Sequence, residues 1–269
     1  MAPFLLGVRV DVLTPFEVRE ALTQALEGHE QRLVVTPNPE FMLEAQHDAA
    51  FRETLNRAFL SLPDGAGLAY ALKATTRETL FDRHPGVDTL WMLAELCVAS
   101  GKTLVLCGGG KGVAAEAAEA MRERHPALEV VGVDPGMVKK SSDGSVQLDA
   151  TLRDRLARLA PAVLAVGLGQ NKQERFLVQV MPELPSVRIG IGIGGALDMI
   201  AGRISRAPAW MRKRGLEWMW RWYLEPKRAM RMMRATVIFP LTIACVTIRE
   251  RHFLRSVRDV ISEIRRQFS

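Results

Sequence analysis

Residues 103–124 read TLVLCGGGKGVAAEAAEAMRER. The apolar run Thr103–Cys107 has the length and content of a buried strand. Gly108–Gly110 then turns the chain into Val113–Arg124, where small and charged residues alternate at helical spacing. The same strand-to-helix unit recurs on both sides. Upstream, Phe4–Val12 reads as a strand and Thr14–Leu26 as an amphipathic helix. Leu33–Val35 is a strand ending in Thr36-Pro37-Asn38-Pro39-Glu40, with a helical pattern to about Arg57. Phe59–Leu62 is a strand ending in Pro63-Asp64-Gly65-Ala66-Gly67, with helices from Leu68 and over Asp88–Ser100. Downstream, Val130–Val133, Val163–Gly167 and Val187–Ile191 are strands, with helices near Leu152–Leu159 and Gln173–Val180. Asp134–Gln147 is a loop. Short apolar strands alternating with helices indicate an α/β, Rossmann-like, mostly parallel sheet covered by helices on both faces.

Charge divides the chain. Residues 1–202 carry 20 Lys+Arg against 25 Asp+Glu, whereas residues 203–269 carry 16 against 5 and hold four of the five tryptophans. We therefore expect a catalytic α/β domain over 1–202 and a basic, helical, Trp/Arg-rich appendage over 203–269. Such an asymmetry calls for an anionic partner: phosphate, lipid head group or nucleic acid. Cys97, Cys107 and Cys245 form no CxxC, which argues against disulfides or a zinc site and for a reducing compartment. The first six residues lack the basic start and apolar core of a signal peptide. The apolar run Ala235–Ile248 contains Pro240 and is shorter than the roughly 20 residues of a membrane span. It is expected to lie on a bilayer or to pack on protein.

In sheets of this kind ligands bind beyond the carboxyl ends of the strands. Thr36, Asn38, Glu40, Asp64, the Gly108–Gly110 turn, Gly167–Gln173 and Gly194–Asp198 all fall there. Asp64, between Pro63 and Gly65 after a buried strand, is the candidate general base, because partial burial raises a carboxylate toward neutrality. Asp198 is a rival, although its place just after Gly194-Gly195 suits helix capping. Gly108-Gly109-Gly110-Lys111-Gly112 is neither GxGxxG nor a Walker loop, so a phosphate site and a plain turn are both open there. No HExxH, histidine cluster or DxD pair occurs, and no metal or cofactor is expected. His84 reads as an exposed loop residue. On one helix from Ala209, Trp210, Arg214, Glu217, Trp218, Arg221 and Trp222 share a face. That face suits a diphosphate beside sugar or apolar surface. It suits equally a helix with a Glu217–Arg221 pair and its indoles in the core.

Taken in order, these motifs resemble the WecG/TagA/CpsF family of bacterial glycosyltransferases over nearly the whole chain. The resemblance rests on Thr36-Pro37-Asn38-Pro39-Glu40, Pro63-Asp64-Gly65-Ala66-Gly67, Arg83…Gly86…Asp88, and Gly167-Leu168-Gly169…Lys172-Gln173-Glu174. It continues through Gly194-Gly195…Asp198…Ala201-Gly202, Arg206-Ala207-Pro208…Gly215-Leu216-Glu217-Trp218…Arg221, and Glu225-Pro226…Arg228…Arg231. Asn171 departs from the proline usual in that family. The resemblance implies an inverting, metal-independent transfer of an N-acetylmannosamine-type sugar, or a related hexose or uronic acid, from a UDP-sugar. The implied acceptor is a polyprenyl-diphosphate glycolipid, and the implied place is the cytoplasmic face of the membrane. It makes Asp64 the base with Thr36 and Asn38 beside it. Gln173 and Glu174 would contact the donor, and Asp198 and Arg206 would bind substrate. Arg83, Arg214, Arg221 and Arg228 would offset diphosphate charge, as a metal does elsewhere. The implied partners are UDP-sugar, glycolipid and an anionic membrane surface, with self-association open. A nucleic-acid partner is not expected, since residues 1–202 are net acidic and no reader motif is present. A non-catalytic membrane adaptor that binds a nucleotide sugar is the alternative.

Overall fold

The computed structural model describes residues 2–76, 78–79, 82–141, 145–225 and 229–268. The chain opens with a hairpin, β1 (Phe4–Leu5) and β2 (Val8–Arg9), instead of the single strand expected over Phe4–Val12. Leu6 and Gly7 both take positive φ, which folds the run back on itself. α1 (Pro15–Glu27) starts at Thr14 with a reciprocal capping box to Glu17. After β3 (Arg32–Val35), the helical pattern to Arg57 divides into α2 (Pro39–Ala45) and α3 (Ala49–Arg57), because Asp48 caps a new start at Phe51 N. β4 (Leu60–Ser61), α4 (Ala66–Thr75) and α5 (Gly86–Ser100) lead into β5 (Leu104–Gly108) and α6 (Val113–Arg124). β6 (Val130–Val133) comes next, and then the expected loop, which carries a small hairpin, β7 (Lys139–Lys140) with β8 (Val146–Gln147). α7 (Ala150–Leu159), β9 (Val163–Gly167), α8 (Lys172–Val180), β10 (Ile189–Gly192) and α9 (Ala196–Ile200) complete the alternation.

The main sheet has the order β4-β3-β10-β9-β5-β6, and every pairing in it is parallel. Its strands are buried on both faces. Leu104, Leu106, Ile189 and Ile191 point to α1, α5 and α6, while Val105, Leu164 and Val166 point to α7 and α8. All carboxyl ends lie along one rim. The sequence-derived strand-end motifs from β4, β3, β10 and β9 are neighbours there, although more than a hundred residues separate β3 and β4 from β9 and β10.

Beyond residue 202 the single helix expected from Ala209 is broken into α10 (Ala209–Lys213) and α11 (Glu217–Leu224). Gly215, at φ 70°, ends α10, and Leu216 N–H donates back to Met211 O at 2.8 Å. α12 (Ala229–Met233) runs through a widened turn at Arg234–Ile238 into α13 (Phe239–Arg249), and α14 (Phe253–Phe268) ends the chain. Pro240 brings no N–H, so the usual bond to the Thr236 carbonyl is missing and the turn before it opens to a π-helical pattern. The outcome is a helix over Met230–Arg249, long and apolar enough to cross a membrane by length and composition. The Ala235–Ile248 run alone looked too short for that. One face of this helix is nevertheless spent on protein. Phe239 and Ile243 sit in the same apolar cluster as Phe41, Phe51, Leu68 and Leu72, each such burial contributing roughly 2 kcal/mol. α14 packs on α4, with Ser256 Oγ donating to Ala74 O at 2.7 Å.

Candidate active site

A cleft of about 600 Å³ opens above the carboxyl ends of β3, β4, β9 and β10. Its floor is pinned by loop-to-loop backbone bonds: Asp64 N–H donates to Pro37 O at 2.8 Å, and His84 N–H to Pro63 O at 2.9 Å. Three motifs far apart in sequence thus fix one another. His84, expected to be exposed, is buried and contacts Leu13 O through Nε2 at 2.9 Å.

Asp64 lines this floor half-buried. Burial pushes its carboxyl up to about 7, and the negative charges of Glu217 and Asp88 add to the rise, while Arg221 and Arg83 oppose it. Such a group holds a proton loosely near neutral pH, as proton acceptance in catalysis requires. Thr36 is beside it and donates to Gly192 O at 3.2 Å. Asn38 caps α2, its side-chain oxygen accepting from Glu40 N and Phe41 N at 2.9 and 3.2 Å, which leaves its amide N–H groups for the cleft.

Gln173 also lines the cleft, but both ends of its carboxamide are engaged in the protein. Gly194 N–H donates to its oxygen at 3.0 Å, and its nitrogen donates to Glu174 Oε1 at 2.8 Å. Glu174 is fully buried behind β10, where a side chain at Gly192 would lie 2.6 Å from its oxygen, and it is not among the residues that line the cleft. Burial pushes its carboxyl up to about 7 as well, against the hydrogen bond from Gln173. Asp198 lies in the first turn of α9 and faces the cleft; the capping position itself is Gly195. The Gly108–Gly110 turn stands outside the cleft. Gly109 N–H donates to Gly167 O at 2.9 Å, and Arg203 closes over the loop through Lys111 O and Glu116.

The roof comes from α10 and α11. Arg214 and Arg221 line it, with Arg214 5.8 Å from the Trp210 ring centre. Arg221 reaches over Gly195, where a Cβ would be 2.8 Å from its Nη2, and lies 3.7 Å from Glu225. Arg206 forks Asp88, with two bonds of 2.7 Å, and lies 3.6 Å from Glu217. Arg83 donates to the carbonyls of Arg212 and Lys213 at 3.0 and 3.3 Å. These two arginines join roof to floor. Arg228 lies outside the described residues. The reading that puts the indoles in a core does not hold: Trp210, Trp218 and Trp222 are exposed, and the Trp220 ring N–H donates to Ser205 O at 3.0 Å. Glu217 pairs across the break with Arg206, not along one helix with Arg221.

Three pairings at the site were not read from the sequence. Asp88 and Glu217 hold Arg206, and Glu40, only 7% exposed, is forked by Arg231 at the cleft wall. All stand in the motifs quoted above, but a pair 118 or 191 positions apart carries no local signal. Among the described residues no cluster of three or more His, Cys, Asp or Glu side chains suited to a metal ion occurs. Burial pushes the thiols of Cys97 and Cys107 up to about 12, which leaves them inert.

Comparison with known proteins gives one consistent result. The sequence profile of the glycosyl transferase WecG/TagA/CpsF family matches residues 4–253. The chain is 29% identical over 252 residues to an N-acetylglucosaminyldiphosphoundecaprenol N-acetyl-beta-D-mannosaminyltransferase of Bacillus spizizenii, covering 92% of each chain. It is 30% identical over 201 residues to the protein of that name in Bacillus subtilis, covering 75% of each. It is 27% identical to that of Staphylococcus aureus, over 89% of this chain and 91% of the other.

Proposed function

The chain belongs to the WecG/TagA/CpsF family of glycosyl transferases, and from that premise we propose its reaction. It moves an N-acetylmannosamine-type sugar from a UDP-sugar to a polyprenyl-diphosphate-linked N-acetylglucosamine, with inversion, in cell-surface polymer synthesis. The observation that carries this reading is Asp64: a carboxylate raised by burial toward neutral pH, at the floor of a cleft roofed by guanidinium groups.

In one displacement the acceptor hydroxyl oxygen bonds to the anomeric carbon as the bond from that carbon to the UDP oxygen breaks. Asp64 takes the hydroxyl proton, and UDP leaves with the electron pair. Thr36 and the Asn38 amide orient the sugars beside Asp64. Arg214 and Arg221 offset the charge on the departing diphosphate, aimed before the reaction begins. Arg206 and Arg83 act by holding that roof in place, Arg206 through its fork on Asp88 and Arg83 through Nη2 on two backbone carbonyls. Gln173 and Glu174 act from beneath, by fixing the Gly194 loop against the donor.

The membrane reading rests on the Met230–Arg249 helix. Val237, Ile238, Leu241 and Ile248 are exposed on the side that Phe239 and Ile243 do not bury, and the segment is flanked by arginines. An anionic inner membrane surface suits both features, at about 1 kcal/mol for each basic residue near it. The chemical test is UDP release from a panel of UDP-sugars with a short-chain polyprenyl-diphosphate N-acetylglucosamine. Release that needs both substrates is expected; none with any donor contradicts the reading. Flotation with anionic liposomes tests the location. Recovery in the lipid layer should fall with salt, and no recovery at low salt would refute it.

A further inference from the structure

The cleft wall facing Glu40 takes no part in the mechanism above. Arg231 enters it from α12 and forks Glu40, with Nε 2.9 and 3.2 Å from the two carboxylate oxygens and Nη2 2.6 Å from one. The partners differ in exposure. Glu40 is buried, while the Arg231 side chain is 48% exposed, so the carboxylate belongs to the protein and the guanidinium to the cleft surface. Glu40 takes the Nε and Nη2 side alone, and Nη1 makes none of these bonds. A guanidinium has five N–H groups in a rigid fork and holds two oxyanions on different edges. The carboxylate therefore fixes the plane of the arginine and leaves donors for a second anion.

Beyond Arg231 the wall is apolar. Met232, Ala235 and Pro240 continue it, and the helix widens at Arg234–Ile238 just where Ala235 and Thr236 line the cleft. The same helix then presents Ile238 and Leu241 to the outside, 41% and 60% exposed. A fixed cation leading onto an apolar helix face matches one ligand class, a diphosphate that carries a long hydrocarbon chain.

We propose that this wall is the subsite for the lipid-diphosphate portion of the acceptor, with Arg231 binding the diphosphate and Glu40 as the positioning residue that aims it. The inference rests on the glycolipid-acceptor reading. It divides the cleft in two: Arg214 and Arg221 serve the donor diphosphate, Arg231 the acceptor diphosphate.

Steady-state kinetics on the full chain separate these assignments, varying UDP-sugar and short-chain polyprenyl-diphosphate N-acetylglucosamine in turn. Arg231→Ala should raise the acceptor KM about 10- to 100-fold, the loss of a charge-assisted contact, with the donor KM unchanged. Arg231→Lys should fall between the alanine variant and wild type, because a point charge cannot fork two anions. Glu40→Gln, which keeps the packing, should raise the acceptor KM by less. A lower acceptor KM in Glu40→Gln would make the carboxylate a competitor and overturn its positioning role. Equal rises in both KM values, or an unchanged acceptor KM in Arg231→Ala and Arg231→Lys, would overturn the subsite. Wild-type protein that releases no UDP with any donor would instead overturn the functional reading beneath it.

Discussion

The floor and the roof of the cleft are held by different physics. Floor residues Thr36 and Gly167 directly follow or end strands whose parallel pairings and apolar faces fix them, and Asp64, three residues past β4, is tied by its N–H to Pro37 O. The roof stands on α10, of 5 residues, and α11, of 8, each too short to persist alone. It is attached by charge: Arg206 on Asp88 and Glu217, Arg83 on two carbonyls, Arg231 on Glu40. Burial therefore specifies where the Asp64 carboxylate sits, and ion pairs specify where the cations sit above it. Salt should act on the second far more than on the first.

The sharpest way to break that comparison is to remove the base and leave both layers standing. Asp64→Asn should lower turnover by about 10²–10⁴ with UDP binding retained. Near-normal turnover would remove the floor's chemical role. The next effect is at the joint. Gly215 holds a left-handed turn pressed on α4, and a Cβ there would lie 2.5 Å from the Ala66 Cβ and 2.8 Å from Arg83 Nη1. Gly215→Ala should cost about 2 kcal/mol of stability and lower turnover about 10- to 100-fold by displacing Arg214 and Arg221. Thermal unfolding and UDP release read the two effects separately. Unchanged turnover would mean that the roof is not part of the site.

Legibility in the sequence divides along the same line. β5, α6, β6 and β9 lie within a residue of where their apolar runs place them, because short continuous strands and alanine-rich helices announce themselves locally. The rim motifs were legible for a related reason: strand ends fall on one edge of a parallel sheet whatever the strand order. The failures came where backbone geometry or distant charge decided. Leu6-Gly7 turned one strand into a hairpin, Asp48 split a helix, and Gly215 broke the face that was to carry Trp210 and Arg221 together. Arg206 stood in a quoted motif, but its commitment to Asp88 was not legible, since nothing local pairs two residues 118 apart. Asn171 takes φ 66°, which a proline ring forbids. It is held by Glu44 and Asp48, and Arg175 donates to its side-chain oxygen at 2.6 Å, so this loop departs from the family's usual residue with its own supports. Asp48 is itself affected: although burial opposes it, the Phe51 N–H, Asn171 and Arg175 hold its carboxyl well below the usual carboxylate range.

A smaller effect separates the two raised carboxylates. Glu174 lies beneath the cleft with its pKa near 7 instead of 4.5. The folded chain keeps a proton there that the unfolded chain has lost. Stability contributed by that protonated form is whole below pH 4.5 and disappears as pH rises through 7. Glu174→Gln should remove that dependence, so its stability relative to wild type should improve by about 3 kcal/mol between acid and mildly alkaline pH. Denaturant unfolding at both pH values checks this, and a difference independent of pH would show that Glu174 is ionised in place.

We propose Asp64 as the base, its carboxyl raised by burial at the cleft floor, and UDP release against pH, for wild type and Asp64→Asn, tests this most directly. The wild-type kcat/KM should climb as pH rises through about 7, and the residual variant rate should lack that limb. A wild-type rate level from about pH 5 to 9, or a limb that survives in Asp64→Asn, would contradict it.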